Sequence, residues 1–138
     1  MEILDIKAQN NLKIAKLAVD AKYFDVAVSR YYYYILLKIM IVLNERGINL
    51  DSKKDSTHNF TISEFLRLCK EDGIYNDDNN GRSLVKLWKL KNKRVSSEYS
   101  RTEIILSEDQ FRTKFLYDYR EVVAVLNKLS FLGEYNEK

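Results

Sequence analysis

The stretch AKYFDVAVSRYYYYILLKIMIVLNERG, residues 21–47, decides the fold. Four tyrosines follow Arg30, a nearly unbroken apolar run extends from Ile35 to Leu43, and no Gly or Pro lies between positions 24 and 46. Gly47 stands where the C-terminal cap of a helix is expected. The pattern predicts one central helix of about two dozen residues, roughly 35 Å long. It is apolar around so much of its circumference that neighbours must cover it on several sides.

The same stretch raises the alternative of a membrane span. Its apolar part is interrupted by Lys38 and ends at Asn44, Glu45 and Arg46. That is well short of the roughly 20 apolar residues that a bilayer requires. We therefore expect a buried helix and no membrane partner.

Composition favours a single helical domain over residues 1–138, since 138 residues suffice to bury about two thirds of the unfolded surface. Absence of proline, a total of four glycines and no linker or repeat favour long helices joined by short turns. Cys69 has no partner for an internal disulfide, and the start MEILDIKAQN has acidic residues where a signal peptide needs basic ones, so we expect a cytoplasmic protein. The net charge of +3 is too small for a nonspecific coat on nucleic acid.

Apolar residues at helical spacing predict helices on both sides of the central one. We expect a first helix at 2–20, a bend at 21–24, and the central helix from about 25. A polar loop at 48–58 precedes a third helix from 60 or 63 to 70, and a turn at 73–81 precedes a fourth from 82 to 98. The last helix follows a capping box of Ser107 and Gln110 and runs to about 132. The expected fold is an all-α, up-and-down bundle of four long helices and one short helix.

Each flanking helix has an apolar stripe that predicts its packing face. The stripes comprise Ile3, Ile6, Ile14, Leu17 and Ala18 in the first helix; Ile62, Phe65, Leu66 and Cys69 in the third; Leu84, Val85, Leu87, Trp88 and Leu90 in the fourth; and Phe111, Phe115, Leu116, Tyr119, Val122, Val123, Leu126 and Leu129 in the last. The opposite side of the fourth helix is basic, with Arg82, Lys86, Lys89, Lys91, Lys93 and Arg94.

Several common sites are excluded by residue counts. The glycines are too scattered for a P-loop or a dinucleotide fingerprint. One Cys and one His do not make a zinc site without a partner chain. No Gly-x-Ser-x-Gly elbow or helix with two histidines is present. We therefore expect no metal and no cofactor.

Four motifs in order carry a resemblance to a known family. They are Arg30 followed by Tyr32 and Tyr33, then Thr57-His58, then Phe65, and finally Arg94-Val95-Ser96-Ser97-Glu98-Tyr99. Together they resemble the stand-alone, uncharacterised branch of the HEPN superfamily, in which Arg-x-Tyr-Tyr precedes a long apolar helix and Arg-x-x-Ala-Asp-Tyr follows later. The resemblance covers about residues 8 to 130, with Ser97 in place of Ala and Glu98 in place of Asp.

The resemblance implies a bundle of four to five helices, frequent homodimers and work on RNA or nucleotides, in many members as metal-independent ribonucleases of toxin-antitoxin or phage-defence systems. Those enzymes have an Arg followed four to six residues later by His. Here Tyr99 and Ser100 stand five and six residues after Arg94, so that His is missing. An unperturbed tyrosine has a pKa near 10, which makes it about 4 kcal/mol worse than a histidine as a base at pH 7.

These observations lead to three hypotheses. The first is a homodimer that binds RNA or a nucleotide in a cleft lined by Arg30, Tyr33, Glu98 and Arg101, together with Arg94, Tyr99 and His58. The second is a divergent metal-independent ribonuclease that uses Arg94 with Tyr99 or His58. The third is a non-catalytic subunit that binds a nucleotidyltransferase or nuclease partner.

Structural roles for the same residues stay open. Arg30 would bond Glu98 or a loop carbonyl to offset its position beside the core. His58 would cap a helix or lie at the surface. Two of the tyrosines at 31–34 would be core residues with their hydroxyls at the surface. The basic side of the fourth helix would be a solvated face, and Trp88 would lie in the core or in a dimer interface.

Overall fold

In the computed structural model, residues 3–48, 57–73, 78–99 and 107–137 are described, with side chains at 3–48, 58–73, 81–98 and 107–128. These parts of the chain form an all-helical bundle. The helices are α1 (Ile3–Asp20), α2 (Phe24–Glu45), α3 (Thr57–Glu71), α4 (Asp78–Tyr99), α5 (Glu108–Phe111), a π-helical segment (Arg112–Leu116) and α6 (Tyr117–Glu137).

The central helix α2 contacts α1, α3, α4, α5 and α6. It supplies much of the core, including Tyr32, Ile35, Ile39 and Leu43, each of which is at most 1% exposed. Its C-terminus is closed by two backbone bonds, from Ile48 N–H to the Leu43 carbonyl at 2.9 Å and from Gly47 N–H to the Asn44 carbonyl at 3.0 Å. Gly47 has φ +78°, the left-handed conformation of a Schellman cap. The predicted glycine cap is confirmed.

Helix α2 is also long and apolar enough to cross a membrane by length and composition alone. In the fold, however, 56% of its most apolar window is buried. The core helix of a helical bundle meets the same criteria, so this finding is weak evidence for a span.

Helix α1 lies against α2 on a face of which the predicted apolar stripe contains only Ala18. Its buried residues are three alanines, Ala8, Ala15 and Ala18. Four of the five predicted apolar residues are instead exposed: Ile3 (69%), Ile6 (48%), Ile14 (45%) and Leu17 (67%). Small side chains allow two helix backbones to approach closely, so the alanines form the contact and the larger residues are left outside.

The last helix begins at the predicted capping box. The Ser107 hydroxyl accepts from Gln110 N–H at 3.2 Å, and the Gln110 side chain accepts from Ser107 N–H at 3.3 Å. The helix then widens into a π-helical turn, in which Tyr117 N–H donates to the Arg112 carbonyl. An α-helix rotates residues four apart by about 40°. A π-helical turn holds more residues than an α-helical turn, so it reduces this rotation and keeps aromatic residues spaced four apart on one face of the helix.

Three aromatic rings use this alignment. Phe111 and Phe115 stack with ring centroids 5.8 Å apart, and Phe115 and Tyr119 do the same at 5.8 Å. Tyr31 of α2 packs against all three, closest to Tyr119 at 4.6 Å, and Phe24 stacks on Phe111 at 5.4 Å. The widened turn thus joins the last helix to α2 through an aromatic layer.

Several predicted boundaries and faces are wrong. Helix α3 begins at Thr57 and not at 60 or 63, so His58 lies in its first turn; helix α4 begins at Asp78 and not at 82; and α6 continues to Glu137. Asp, Asn, Ser and Thr are the residues that start helices best, and the polar runs before both α3 and α4 belong partly to the helices. Val85 is 47% exposed and is not part of the core. The Leu129 side chain lies outside the described residues.

Candidate functional site

A network of charged and polar side chains joins α2 to the C-terminal end of α4. The Ser29 hydroxyl donates to Glu98 Oε1 at 2.5 Å, and Arg94 Nη1 donates to Glu98 Oε2 at 2.8 Å. Partial burial opposes ionisation of Glu98, but the hydrogen bonds from Ser29 and Arg94 outweigh it and hold the pKa of Glu98 below its ordinary value. Glu98 is therefore a carboxylate at neutral pH.

Arg94 is the most enclosed charge of this network. Its side chain is 11% exposed, and its Cζ lies 5.5 Å from the ring centroid of Tyr32 and 5.7 Å from that of Tyr33. Its Nε is buried without a hydrogen-bond partner among the described residues. The expected solvated basic face is thus wrong for Arg94, which points among the tyrosines of α2 because its position on α4 faces that helix.

A second guanidinium, that of Arg30 on α2, lies near the same Tyr33 ring. Arg30 Cζ lies 5.9 Å from the Tyr33 ring centroid, and Arg30 Nη1 donates to Asn11 Oδ1 of α1 at 3.2 Å. Asn11 is the hydrogen-bond partner that the structure gives Arg30, in place of the expected Glu98 or loop carbonyl. Glu98 still feels the charge of Arg30, which contributes to its lowered pKa.

His58 enters the site from the first turn of α3. Its Nδ1 lies 3.3 Å from the Tyr32 hydroxyl, and its ring lies 5.8 Å from the rings of both Tyr32 and Tyr33. Burial lowers the pKa of His58, and the nearby charges of Arg94 and Lys91 lower it further. The imidazole is therefore neutral at pH 7. Burial raises the pKa of Tyr32, so its hydroxyl keeps its proton.

The neutral imidazole has two tautomers with different chemistry. If Tyr32 donates to Nδ1, the proton lies on Nε2, which then donates to a ligand. If Nδ1–H donates to Tyr32, Nε2 is free to accept a proton. The bond to Tyr32 fixes the ring in either case.

The structure brings together five of the seven residues proposed from the sequence, namely Arg30, Tyr33, His58, Arg94 and Glu98. Of the other two, Tyr99 is the last residue of α4 but its side chain lies outside the described residues, as does all of Arg101.

Three further residues complete the site: Ser29, Tyr32 and Asn11. The sequence contained a signal for two of them, since Ser29 and Tyr32 flank Arg30 and Tyr31 within the motif-bearing stretch. Nothing local marks Asn11, because its role depends on how α1 crosses α2.

Metal ligands are not grouped in the described part of the chain. Among those residues no three His, Cys, Asp or Glu side chains lie close enough to hold an ion. The site itself brings together two guanidiniums, one carboxylate, a neutral imidazole, two phenols, a serine hydroxyl and an asparagine amide.

A separate groove of about 490 Å³ lies between α4 and α6 and includes no residue of this site. Lys86 lies in it with Nζ 3.1 Å from Asp118 Oδ1 and 3.0 Å from Glu121 Oε2. Its ammonium is also 5.0 Å from the Tyr117 ring centroid. These neighbours pair Lys86 with two carboxylates and cover its ammonium with an aromatic ring.

Comparisons of the chain with protein-family models, with curated proteins and with solved structures found no match. The class that the structure itself defines is an all-helical bundle with a buried arginine site between its second, third and fourth helices.

Proposed function

We propose that this protein is a HEPN-like, cytoplasmic RNA- or nucleotide-binding protein whose ligand binds at the Arg94 network. The observation that carries the proposal is the convergence of Arg30 and Arg94 on the Tyr33 ring. The two arginines come from different helices, and Glu98 is the one carboxylate that bonds either of them in the described contacts. The network thus keeps a positive charge beside an aromatic ring.

This combination suits a phosphate attached to a base. A guanidinium presents several N–H donors in a fixed fork that matches phosphate oxygens. A half-buried tyrosine ring gives a base a surface on which to stack, worth about 1–3 kcal/mol per base. The unpartnered Nε of Arg94 adds a donor whose isolation costs about 1–3 kcal/mol, so a ligand oxygen that reached it would relieve that cost.

The Ser29–Glu98–Arg94 bonds also clamp α2 to α4, so the network could serve stability alone. Ligand binding and stability can be separated with a variant that removes a cation without breaking this clamp. Arg30 lies at the edge of the clamp and bonds Asn11 instead of Glu98. Arg30→Ala therefore leaves the bonds of the clamp intact while removing one of the two cations. Loss of binding in this variant, with unfolding unchanged, separates ligand binding from stability.

The test is fluorescence anisotropy with a labelled single-stranded RNA of mixed sequence and, separately, a fluorescent nucleoside triphosphate. We expect Arg30→Ala and Arg94→Ala each to weaken binding by about tenfold or more, as loss of a charge-assisted contact predicts. Affinity for RNA falls with salt by about 0.7 log unit per log unit for each phosphate contacted. Arg67→Ala is the matched control, because Arg67 is an exposed arginine that bonds its own glutamates on α3.

Equal binding by wild type and both site variants refutes the assignment of the site. If wild type binds neither the RNA nor the nucleoside triphosphate, RNA and nucleotides are refuted as ligands. That result favours the alternative of a non-catalytic subunit for a nucleotidyltransferase or nuclease partner.

A second candidate function rests on His58. The neutral imidazole, held by Tyr32 beside Arg94, has the protonation state that a general base requires at pH 7. In this candidate His58 accepts the proton of the attacking 2′-hydroxyl, whose oxygen bonds to phosphorus as the bond from phosphorus to the 5′-oxygen breaks. The products are a 2′,3′-cyclic phosphate and a 5′-hydroxyl, which takes its proton from the protonated His58 or from water. Arg94 stabilises the charge on the phosphate, so the two residues act from different helices instead of as an Arg and His on one helix.

The ribonuclease test is incubation of a long mixed RNA in EDTA. Cleavage by wild type that His58→Ala and Arg94→Ala both abolish, and Arg67→Ala retains, supports a metal-independent ribonuclease. Cleavage that survives in both site variants belongs to a contaminant. No cleavage with intact RNA binding leaves the binding function alone.

A further inference from the structure

The four large apolar residues on the outside of α1 form one stripe. Counted from Asn10, Ile6 and Ile14 lie four residues away on either side, and Ile3 and Leu17 lie seven residues away. At 3.6 residues per turn, all four project within about 40° of the direction of Asn10. The buried alanines Ala8 and Ala15 lie on the opposite side of the helix.

The stripe is unusual because it is palindromic. A two-fold axis through Asn10, perpendicular to α1, places Ile3 of one copy beside Leu17 of the other and Ile6 beside Ile14. It also places the two Asn10 side chains together. A closed two-fold interface must be self-complementary, and an apolar stripe symmetric about one polar residue meets that condition in an antiparallel pair.

Exposure gives the scale of the contact. The four side chains are between 45% and 69% exposed, which amounts to roughly 400 Å² of apolar surface, as large as the biggest patch on a typical monomer. Two such stripes together bury somewhat less than the roughly 1,200 Å² of the smaller stable interfaces. The contact therefore suits a reversible dimer.

We propose that α1 is a dimerisation surface, on which a second copy of this chain packs its own α1 antiparallel about Asn10. The paired asparagines hydrogen-bond to each other and fix the register, as a single polar residue does in an apolar helix seam. Lys7 and Lys13 lie on opposite flanks of the stripe and keep their ammonium groups in water.

The symmetry has a consequence for the Arg94 network. Asn11, which holds Arg30, lies on one flank of α1, about 100° from the stripe. A two-fold axis of this kind keeps corresponding flanks on the same side of the pair. Both copies of the network therefore lie on one face of the dimer. The dimer itself forms without ligand, so its test is independent of the proposed function.

Sedimentation velocity over a range of concentrations tests the dimer first. We expect Ile6→Glu and Ile14→Lys each to raise the dimer dissociation constant by about tenfold or more, since each places two charges in an apolar seam. Val85→Glu is the matched control, because Val85 is as exposed as Ile6 but lies on α4. Circular dichroism checks that all variants remain helical.

The double variant tests the register. Antiparallel pairing about Asn10 brings position 6 of one copy beside position 14 of the other at both ends of the seam. The opposite charges of Ile6→Glu/Ile14→Lys then face each other, so the double variant recovers dimerisation relative to either single variant. A parallel pair places like charges together and gives no recovery. Asn10→Cys adds a covalent check, since its disulfide would lie on the two-fold axis, whereas Gln9→Cys projects from the flank and does not cross-link.

Three results overturn the proposal. They are a wild-type chain that stays monomeric, a dimer that neither single variant weakens, and a double variant that recovers nothing. A monomer that co-sediments with vesicles containing phosphatidylserine, and loses this with Ile6→Glu, shows that the stripe binds a lipid surface instead.

Discussion

Replacement of Arg94 by alanine tests the energetic reasoning on the site. The change removes a charge-assisted hydrogen bond to Glu98, worth about 1.5–3 kcal/mol, and two ring contacts worth about 0.5–1 kcal/mol each. Two features reduce the sum. Glu98 keeps its bond from Ser29, and its side chain is 26% exposed, so water solvates the released oxygen. We expect Arg94→Ala to lower the free energy of unfolding by about 2–3 kcal/mol.

Urea unfolding followed by circular dichroism measures this difference, provided that the m value is unchanged. Arg67→Ala is again the control, because Arg67 and Glu71 have the same four-residue spacing as Arg94 and Glu98 but Arg67 is 48% exposed. We expect no measurable change in the control. A double-mutant cycle with Glu98→Gln isolates the pair, with a coupling of about 1–2 kcal/mol. A loss below about 1 kcal/mol in Arg94→Ala would refute the reasoning, because it would mean that the pair behaves as a surface ion pair.

Three further predictions follow from burial. The pKa of His58 is lower in the folded protein than in the unfolded chain, so the unfolded chain binds more protons. The free energy of unfolding therefore falls as the pH drops from about 6.5 through that lowered pKa, by at most about 1.4 kcal/mol per pH unit. Unfolding measured between pH 7 and 5 will show a shallower fall in His58→Gln than in wild type, and an identical fall contradicts the lowered pKa of His58. Phe115→Ala removes a fully buried ring between two others and will cost about 3–5 kcal/mol in urea unfolding, whereas a cost below about 1 kcal/mol would contradict the aromatic layer. Burial raises the pKa of the Cys69 thiol to about 12; iodoacetamide will leave it unmodified in the native protein and modify it in urea, and fast native labelling would contradict its burial.

The central helix and its cap were predictable because their signals are local. A long segment without Gly or Pro, ended by a glycine, determines both the length of α2 and the positive φ at Gly47. The capping box at Ser107 was predictable for the same reason. Local hydrogen bonding decides these features whatever the rest of the chain does.

The packing face of α1 was not predictable from hydropathy. The pattern gives the most weight to Ile and Leu, but the contact with α2 uses Ala8, Ala15 and Ala18. Alanine contributes little apolar area, and its advantage is the closer approach of two backbones, which depends on the neighbouring helix. The π-helical turn was not predictable either, because it too depends on contacts with a neighbouring helix. Aromatic residues at 111, 115 and 119 drift around an ideal α-helix, and the layer around Tyr31 favours the wider turn.

The site was half predictable. Motif spacing pointed to Arg30, His58 and Arg94, but the contacts among them depend on three helices meeting. His58 was expected to approach from a loop. The helix start at Thr57 fixes it more firmly, because the backbone of a first turn holds the imidazole at a set distance from α2.

The four consecutive tyrosines explain how α2 contacts both the aromatic layer of the last helix and the Arg94 network. Successive residues of an α-helix project about 100° apart, so a run of four covers the whole circumference. Tyr31 packs on Phe115 and Tyr119 in the aromatic layer, while Tyr32 and Tyr33 lie beside His58 and Arg94. A leucine at these positions would fill the same space without a hydroxyl for His58 or a ring face for a guanidinium. The tyrosine run therefore links the core to the charged site, because Tyr33 gives two guanidinium groups an aromatic face beside a hydrophobic helix.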